Sequence, residues 1–213
     1  MRKLIVATFL TLDGVMQAPG GPEEDPSGRF EHGGWSVKYW DERMDEVMGR
    51  EMGKPFDLLL GRRTYEIFAA FWPQSTEPAA RLLNEARKHV ASRTLKRVDW
   101  QNSTLIKGDV ADYVAQLKRQ DGPEVQVHGS GNLIQTLLKH DLVDEFRLKI
   151  FPLVLGSGKR LFADGTIPAG LKLVDSTTSN KGVVVGTFER AGAIEYGTFG
   201  AEQPAEAATE RRR

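Results

Sequence analysis

Two glycine-containing turns carry the residues best suited to bind an anionic ligand. The first follows an apolar run that ends at Leu60 and reads Gly61-Arg62-Arg63-Thr64. A strand that turns through glycine into a helix leaves unpaired backbone N–H groups at the helix start, where the helix dipole favours anions. Two guanidinium groups and a hydroxyl at that point suit a phosphate, because arginine offers planar bidentate donors. The alternative is a helix start whose arginines are simply solvated, and this segment alone does not decide between the two.

The second turn, Gly129-Ser130-Gly131, follows the short β-branched run Val125–His128 and precedes a helical pattern. One face of that helix would carry Leu133, Ile134, Leu137 and Leu138. Glycine allows the backbone to approach a pyrophosphate closely and to take a positive φ. The third glycine of the dinucleotide fingerprint would fall at position 134, which is Ile134. The pattern therefore predicts a phosphate loop that is not of the Rossmann type.

Composition excludes several classes of function. The 213 residues suit one domain, and 29 Lys+Arg against 29 Asp+Glu give no charge excess that would indicate a nucleic-acid partner. The absence of cysteine excludes disulfides, thiolate metal sites and cysteine nucleophiles. The four histidines lack metal-ligand spacing, so we expect no metal site. The N-terminal run is too short to span a membrane and no cleavage site follows it, which predicts a cytoplasmic protein without membrane association.

Alternating strand-like and helical patterns predict an α/β fold with a mostly parallel sheet covered on both faces. The strand-like runs are Leu4–Leu12, Phe56–Leu60, His89–Ser92, Ser103–Lys107, Glu124–His128, Glu145–Ile150, Leu171–Thr178 and Val183–Glu189. Helical stripes comprise Val37, Trp40, Met44, Val47 and Met48, and then Val110, Val114 and Leu117 after an Asp109 N-cap. The turn Ser179-Asn180-Lys181-Gly182 joins the last two runs as an antiparallel hairpin.

Residues 1–193 form the predicted single domain, and residues 194–213 form a tail expected to be disordered. The long loop Asp13–Gly34 lacks periodicity and is rich in glycine and proline, which is typical of a lid or binding loop. Trp35 and Tyr39 follow it and either wall a pocket for a flat heterocycle or pack in the core.

Six motifs in order give this chain a family resemblance. They are Thr11-Leu12-Asp13-Gly14, Leu60-Gly61-Arg62-Arg63-Thr64-Tyr65, Val90-Ala91-Ser92-Arg93-Thr94-Leu95, Val127-His128-Gly129-Ser130-Gly131, Val143-Asp144-Glu145-Phe146-Arg147-Leu148 and Pro152-Leu153-Val154-Leu155-Gly156-Ser157-Gly158. Over residues 3–190 the chain resembles the dihydrofolate reductase fold. It is most similar to the C-terminal reductase domain of the bifunctional riboflavin-biosynthesis deaminase-reductase.

The resemblance implies a three-layer fold with an eight-stranded sheet that binds NADPH across the carboxyl ends of its strands. It places Gly61, Arg62 and Thr64, with Arg63 beside them, against the cofactor phosphates. It places Ser92, Arg93 and Thr94 at the adenosine ribose and its 2′-phosphate. The pyrophosphate cradle would comprise Gly129, Ser130, Gly131 and Asn132, with Leu133 next to it.

The substrate side departs from dihydrofolate reductase, which keeps a carboxylate near the start of its first helix. Here that helix is predicted to begin near Gly34-Trp35-Ser36, and no acidic residue falls clearly in that place. Asp13 and Asp41 are the catalytic candidates, as polar contacts near the site of hydride transfer, although such residues are more often plain turn or helix-surface carboxylates. Lys149 is predicted to point into the substrate pocket, unless it extends to solvent from the strand edge.

The predicted function is NADPH-dependent reduction of a small pterin- or pyrimidine-like substrate, as in a 5-amino-6-(5-phosphoribosylamino)uracil reductase. The alternatives are an NADPH-binding module without turnover and a dihydrofolate reductase. The apolar run Val143–Leu155 predicts a homodimer in which the tail takes no part. The family resemblance implies that this dimer pairs through late strands.

Overall fold

The computed structural model describes residues 1–199 and contains eight strands and five α-helices within them. The strands are β1 (Leu4–Thr11), β2 (Phe56–Gly61), β3 (Lys88–Ala91), β4 (Ser103–Leu105), β5 (Glu124–His128), β6 (Glu145–Phe151), β7 (Gly170–Thr178) and β8 (Val184–Gly192). The helices are α1 (Glu42–Met52), α2 (Arg62–Phe71), α3 (Ala79–Glu85), α4 (Val110–Arg119) and α5 (Gly131–Lys139). No helix in the described part of the chain is long and apolar enough to cross a bilayer.

All eight strands form one sheet in the order β4-β3-β2-β5-β1-β6-β8-β7. The first six strands pair in parallel, whereas β8 runs antiparallel to both β6 and β7. The α/β fold with a mostly parallel sheet and a C-terminal hairpin, predicted from the sequence, is confirmed.

Helices cover both faces of the sheet. Val114 of α4 and Leu137 of α5 pack against Leu4 and Val6 of β1 on one face. On the other face Met44 and Val47 of α1 join a second apolar cluster, and α2 and α3 pack over β2 and β3 in a third. These layers leave the carboxyl ends of the parallel strands at one edge of the sheet.

The first helix begins later than the sequence predicted. Val37–Tyr39 form a separate 3₁₀ turn, Trp40 is extended, and α1 starts at Glu42. The Asp41 side chain accepts a hydrogen bond from the Met44 N–H (3.0 Å), whereas Ser36 makes no side-chain cap. The N-cap at Asp41 therefore sets the helix start, and the predicted stripe from Val37 to Met48 spans two elements.

The long loop Asp13–Gly34 is folded against the body of the protein. Val15, Met16, Ala18 and Phe30 are buried. The side-chain amide of Gln17 also donates hydrogen bonds to the backbone carbonyls of Asp25 and Ser27 within the same loop.

Residues 194–199 lack regular secondary structure, and the rest of the predicted tail lies outside the described residues.

Candidate cofactor and substrate site

Three neighbouring strands bring the predicted cofactor residues to one edge of the sheet. β3, β2 and β5 lie side by side in parallel and end at Ala91, Gly61 and His128. The segments 62–64, 92–94 and 129–133 follow these ends directly. The sequence-predicted clusters are therefore neighbours in space.

The turns after β2 and β5 are joined by the Ser130 hydroxyl. It accepts a hydrogen bond from the Gly61 N–H (2.8 Å) and donates one to Thr64 Oγ1 (2.8 Å). A Cβ on Gly61 would lie 3.1 Å from Ser130 Cβ, so glycine permits this approach. Gly129 (φ 67°) and Ser130 (φ 69°) take left-handed backbone conformations that turn the chain into α5. As a result, the N-termini of α2 and α5 lie close together and both favour an anion.

Arg62 links the first cluster to the second. Its Nη1 donates to Thr94 Oγ1 (2.6 Å), and its Nε donates to Glu66 (2.8 Å). Ser92 Oγ accepts from the backbone N–H groups of Thr94 (3.1 Å) and Leu95 (3.0 Å) and so shapes the turn after β3. Arg93 is exposed on that turn, between Ser92 and Thr94.

Two other predicted cofactor residues have different surroundings. The Arg63 Nε lies 3.7 Å from Asp25 of the long loop, so this guanidinium faces the loop across the site. Leu133 belongs to α5 and its side chain is buried in the core, so only its backbone can face a ligand. Asn132 is exposed next to it in the first turn of α5.

Asp13 joins the end of β1 to the segment after β6. Its carboxylate accepts hydrogen bonds from the Thr11 hydroxyl and the backbone N–H groups of Gly156 (2.8 Å) and Leu155 (3.3 Å). The Thr11 hydroxyl, followed by these N–H groups, lowers the pKa of Asp13 to about 2. A carboxyl group with that pKa is ionised at neutral pH and has no proton to give.

Asp41 is likewise occupied. Besides capping α1, its carboxylate accepts from the Lys181 N–H (3.0 Å) in the turn between β7 and β8. Partial burial acts to raise the pKa of Asp41, but the backbone N–H groups of Met44 and Lys181 bring it below its ordinary value. Both predicted catalytic carboxylates therefore hold structural contacts.

The predicted substrate residues separate into two groups. Trp35 is buried, packs edge-on against Phe151 (5.2 Å between ring centroids) and donates from Nε1 to the Gln17 carbonyl (2.7 Å). Trp35 is therefore a core residue under the long loop rather than an exposed pocket wall. Tyr39 is partly exposed and also packs edge-on against Phe151.

Lys149 lies inside the protein and belongs to a group of polar side chains beneath α1. Because successive strand residues face opposite sides, alternate residues of β5 and β6 point to α1. These residues, here called the polar ladder, are Glu124, Gln126, His128, Glu145, Arg147 and Lys149. In β5, the ladder residues alternate strictly with Val125 and Val127. This alternation was a sequence signal for them that the predictions above did not use.

One ionic contact of the ladder crosses β1. Arg147 donates to both Glu124 oxygens (2.8 and 3.0 Å) and to Glu145 (2.7 Å). β1 lies between the strands that carry Arg147 and Glu124. Lys149 pairs with Glu51 of α1. Burial lowers the pKa of Lys149, and the Glu51 carboxylate opposes that effect.

Comparisons with known proteins agree with this architecture. A family model described as RibD C-terminal domain matches residues 2–185. The Bacillus subtilis (strain 168) protein YyaP is 30% identical over 190 residues, which cover 86% of this chain and 92% of YyaP. The B. subtilis protein YwjB is 28% identical over 116 residues, which cover 54% of this chain and 63% of YwjB.

Solved structures share the fold at low sequence identity. A Shewanella sp. PV-4 protein named for riboflavin biosynthesis has a TM-score of 0.61 at 21% identity, covering 88% of this chain and 98% of its own. Dihydrofolate reductase from Enterococcus faecalis, complexed with NADP(H) and RAB-propyl, has a TM-score of 0.55 at 14% identity, covering 89% and 96%. A pyrimidine reductase-like protein from Corynebacterium diphtheriae has a TM-score of 0.58 at 11% identity, covering 89% and 92%.

Proposed function

The chain belongs to the RibD C-terminal domain family, and from that membership we propose that it is an NADPH-dependent reductase. Its substrate class would be a small pyrimidine- or pterin-like heterocycle, such as an aminouracil of the riboflavin pathway. One observation carries the proposal: the ends of β2, β3 and β5 gather arginines, hydroxyls and two helix N-termini at a single edge. The names of the structural relatives, two of which refer to reductases, support the same reading.

The residues at this edge fit a phosphorylated dinucleotide. The backbone N–H groups at the starts of α2 and α5 would hold the pyrophosphate, with Arg62 as counter-charge. Ser92, Arg93 and Thr94 would hold the ribose and its 2′-phosphate. A Cβ on Gly131 would have Met16 Sδ as its nearest neighbour, at 3.8 Å, so the space in front of this glycine is open to a ligand.

The bound NADPH would supply the hydride, and the protein would orient the two flat rings, while the substrate also needs a proton. Neither Asp13 nor Asp41 is suited to the proton step, because both carboxylates are hydrogen-bonded in their ionised forms. Asp13 instead fixes the end of β1 to the chain after β6. We infer that the proton reaches the substrate from solvent.

Because structural hydrogen bonds occupy the carboxylates of both Asp13 and Asp41, a second candidate function is an NADPH-binding module without turnover. Fluorescence titration with NADPH, followed by NADPH oxidation in the presence of aminouracils and pterins, separates the two functions. We expect binding and substrate-dependent oxidation. Arg62→Ala should weaken NADPH binding by about tenfold to hundredfold, as expected for loss of a charge-assisted contact. Binding without oxidation of any tested heterocycle would establish the module, and no binding would contradict both.

A further inference from the structure

His128 is the last residue of β5 and lies where the sheet opens. β5 pairs with β1 over residues 4–7 of β1, ending at the pair Ala7 and His128, whereas β1 continues to Thr11 beside β6. Beyond His128 the chain turns away at Gly129 (φ 67°). This edge of β1 therefore has no strand neighbour past Ala7 among the described residues. Such a crevice beyond the carboxyl ends of parallel strands is where open α/β sheets bind ligands.

Hydrogen bonds along the polar ladder fix the tautomer of His128. The Gln126 side-chain nitrogen donates to Glu124 Oε1 (2.7 Å) and to the Glu51 carbonyl (3.2 Å). Gln126 Oε1 is therefore an acceptor, and it lies 2.7 Å from His128 Nε2. Because a carbonyl oxygen cannot donate, the imidazole must carry its proton on Nε2. Nδ1 is left as an acceptor with a free lone pair.

Burial and nearby positive charges keep the imidazole of His128 neutral. Burial, followed by the nearby cations of Lys149 and Arg147, lowers the pKa of His128 to about 3. The imidazole therefore stays unprotonated near neutral pH, and Nδ1 remains an acceptor.

Nδ1 is accessible as well as unpaired. None of the hydrogen bonds within residues 1–199 uses it. The buried side-chain atoms that lack a partner in this part of the chain are His89 Nε2 and Ser103 Oγ, so Nδ1 of His128 retains contact with solvent. The ring is half-buried at the base of the crevice, one residue before the phosphate loop.

We propose that His128 recognises the substrate by accepting, at Nδ1, a hydrogen bond from an N–H group on the heterocycle. The inference rests on the proposed function and narrows its substrate class to rings that carry an N–H donor, as aminouracils and pterins do. An acceptor that the bound ligand covers discriminates strongly, because an analogue without the donor leaves that acceptor unpaired and removed from water. Glu124 and Gln126 act as positioning residues, since they set which ring nitrogen carries the proton.

Two substitutions separate recognition from a purely structural role. The asparagine amide of His128→Asn reaches about as far as Nδ1 of the original ring, whereas the glutamine amide of His128→Gln reaches about as far as Nε2. The first variant therefore keeps an acceptor toward the crevice, and the second keeps the link to Gln126. The measurement is calorimetric titration of diaminouracil into each protein, with and without saturating NADP⁺. A uracil methylated at both ring nitrogens serves as the donor-free ligand.

We expect diaminouracil to bind His128→Asn within about threefold of the parent, and His128→Gln about tenfold to hundredfold more weakly. The donor-free uracil should bind all three proteins equally. Matching NADPH affinities and unfolding temperatures would show that both variants fold. Parent-like binding of diaminouracil by His128→Gln, with loss in His128→Asn, would assign the residue a structural role and overturn the proposal.

The proposed function can fail separately. A parent protein that does not bind NADPH contradicts the reductase, while the titration without NADP⁺ still decides the role of His128. A parent protein that binds NADPH but not diaminouracil under either condition overturns the recognition role and leaves the cofactor site intact.

Discussion

Arginine side chains approach the predicted cofactor edge from two different loops. Arg62 starts α2 and reaches across to Thr94, while Arg93 stands exposed on the turn after β3. A pyrophosphate at two helix N-termini is already held by backbone N–H groups and the helix dipoles, with Arg62 as its counter-charge. We therefore propose that the additional arginine at the end of β3 binds a further phosphate, such as the 2′-phosphate that distinguishes NADPH from NADH.

Arg93→Ala should therefore weaken NADPH binding by about tenfold to hundredfold and leave NADH binding nearly unchanged, because it removes one charge-assisted contact. Fluorescence titration with both cofactors measures the difference. Arg81→Ala, which removes an exposed arginine of α3 paired with Glu85, is the matched control. Equal dissociation constants of the parent for NADPH and NADH would contradict the assignment.

Asp13 gives a prediction about acid stability. Its pKa is about 2 in the folded protein, below the ordinary value of 3.8, so its ionised form stabilises the fold at pH values above 3.8. That contribution is lost as the pH falls from 3.8 toward 2. Asp13→Asn should lower the free energy of unfolding at neutral pH by about 1 kcal/mol, a figure reduced from the full pKa shift because solvent screens a partly exposed group.

Urea unfolding of the parent and Asp13→Asn at several pH values tests this. The difference in free energy should be largest near neutral pH and should shrink below pH 3.8. A difference that does not change with pH would show that the carboxylate charge is not what holds the segment after β6.

Local sequence pattern predicted the strands and turns whose structure depends on neighbouring residues alone. Apolar runs located all eight strands to within a few residues, and glycines marked the turns after β2 and β5. The start of α1 was missed because a helical stripe does not reveal where a side-chain cap will form, and Asp41 outcompetes Ser36 for that role. The polar ladder depends on pairing between strands distant in sequence, so its contacts could not be predicted from local pattern.

Substitution of Gly131 tests whether the loop before α5 binds the cofactor. A Cβ added at Gly131 would have Met16 Sδ as its nearest neighbour, at 3.8 Å, and this glycine does not require a positive φ. Gly131→Val should therefore fold and yet lose most NADPH binding, because the added methyl groups would occupy the pyrophosphate's space. Titration with NADPH and thermal unfolding report the two effects separately.

Gly49→Ala is the control for that experiment, since Gly49 is exposed in α1 and has open space around its Cβ position. It should bind NADPH as the parent does. If Gly131→Val also binds normally, the loop is a structural turn and the cofactor lies elsewhere.

The exposed apolar surface lies in a different place from the one that suggested a homodimer. Phe146, Leu148 and Phe151 are buried within the protomer, so most of the run Val143–Leu155 is not available for pairing. Exposed apolar side chains are found instead on the C-terminal hairpin, at Leu171, Leu173, Val174 and Val184. β7 is also the edge strand of the sheet, and exposed edges invite pairing with a second chain.

We therefore expect a homodimer that pairs through β7 and β8, and Leu173→Lys should shift it to a monomer because a charge would be buried at the interface. Light scattering measures the mass of the parent, of this variant and of a chain ending at Tyr196. The shortened chain should remain dimeric. Lys172→Leu, on the opposite face of β7, is the control for a change at the same strand. A monomeric parent would exclude the dimer.

The pairing of β6 with β1, across which Arg147 reaches Glu124, constrains when the sheet can be completed during synthesis of the chain. Ile5 pairs with Glu145, and 140 residues separate the two along the chain. Until β6 has left the ribosome, β1 would be the outermost strand of the growing sheet, with a long apolar side uncovered and liable to aggregate. Such distant pairing also slows folding, because the chain must close a large loop before the contact forms. The last third of the polypeptide therefore converts the first strand from an open edge into the centre of the molecule.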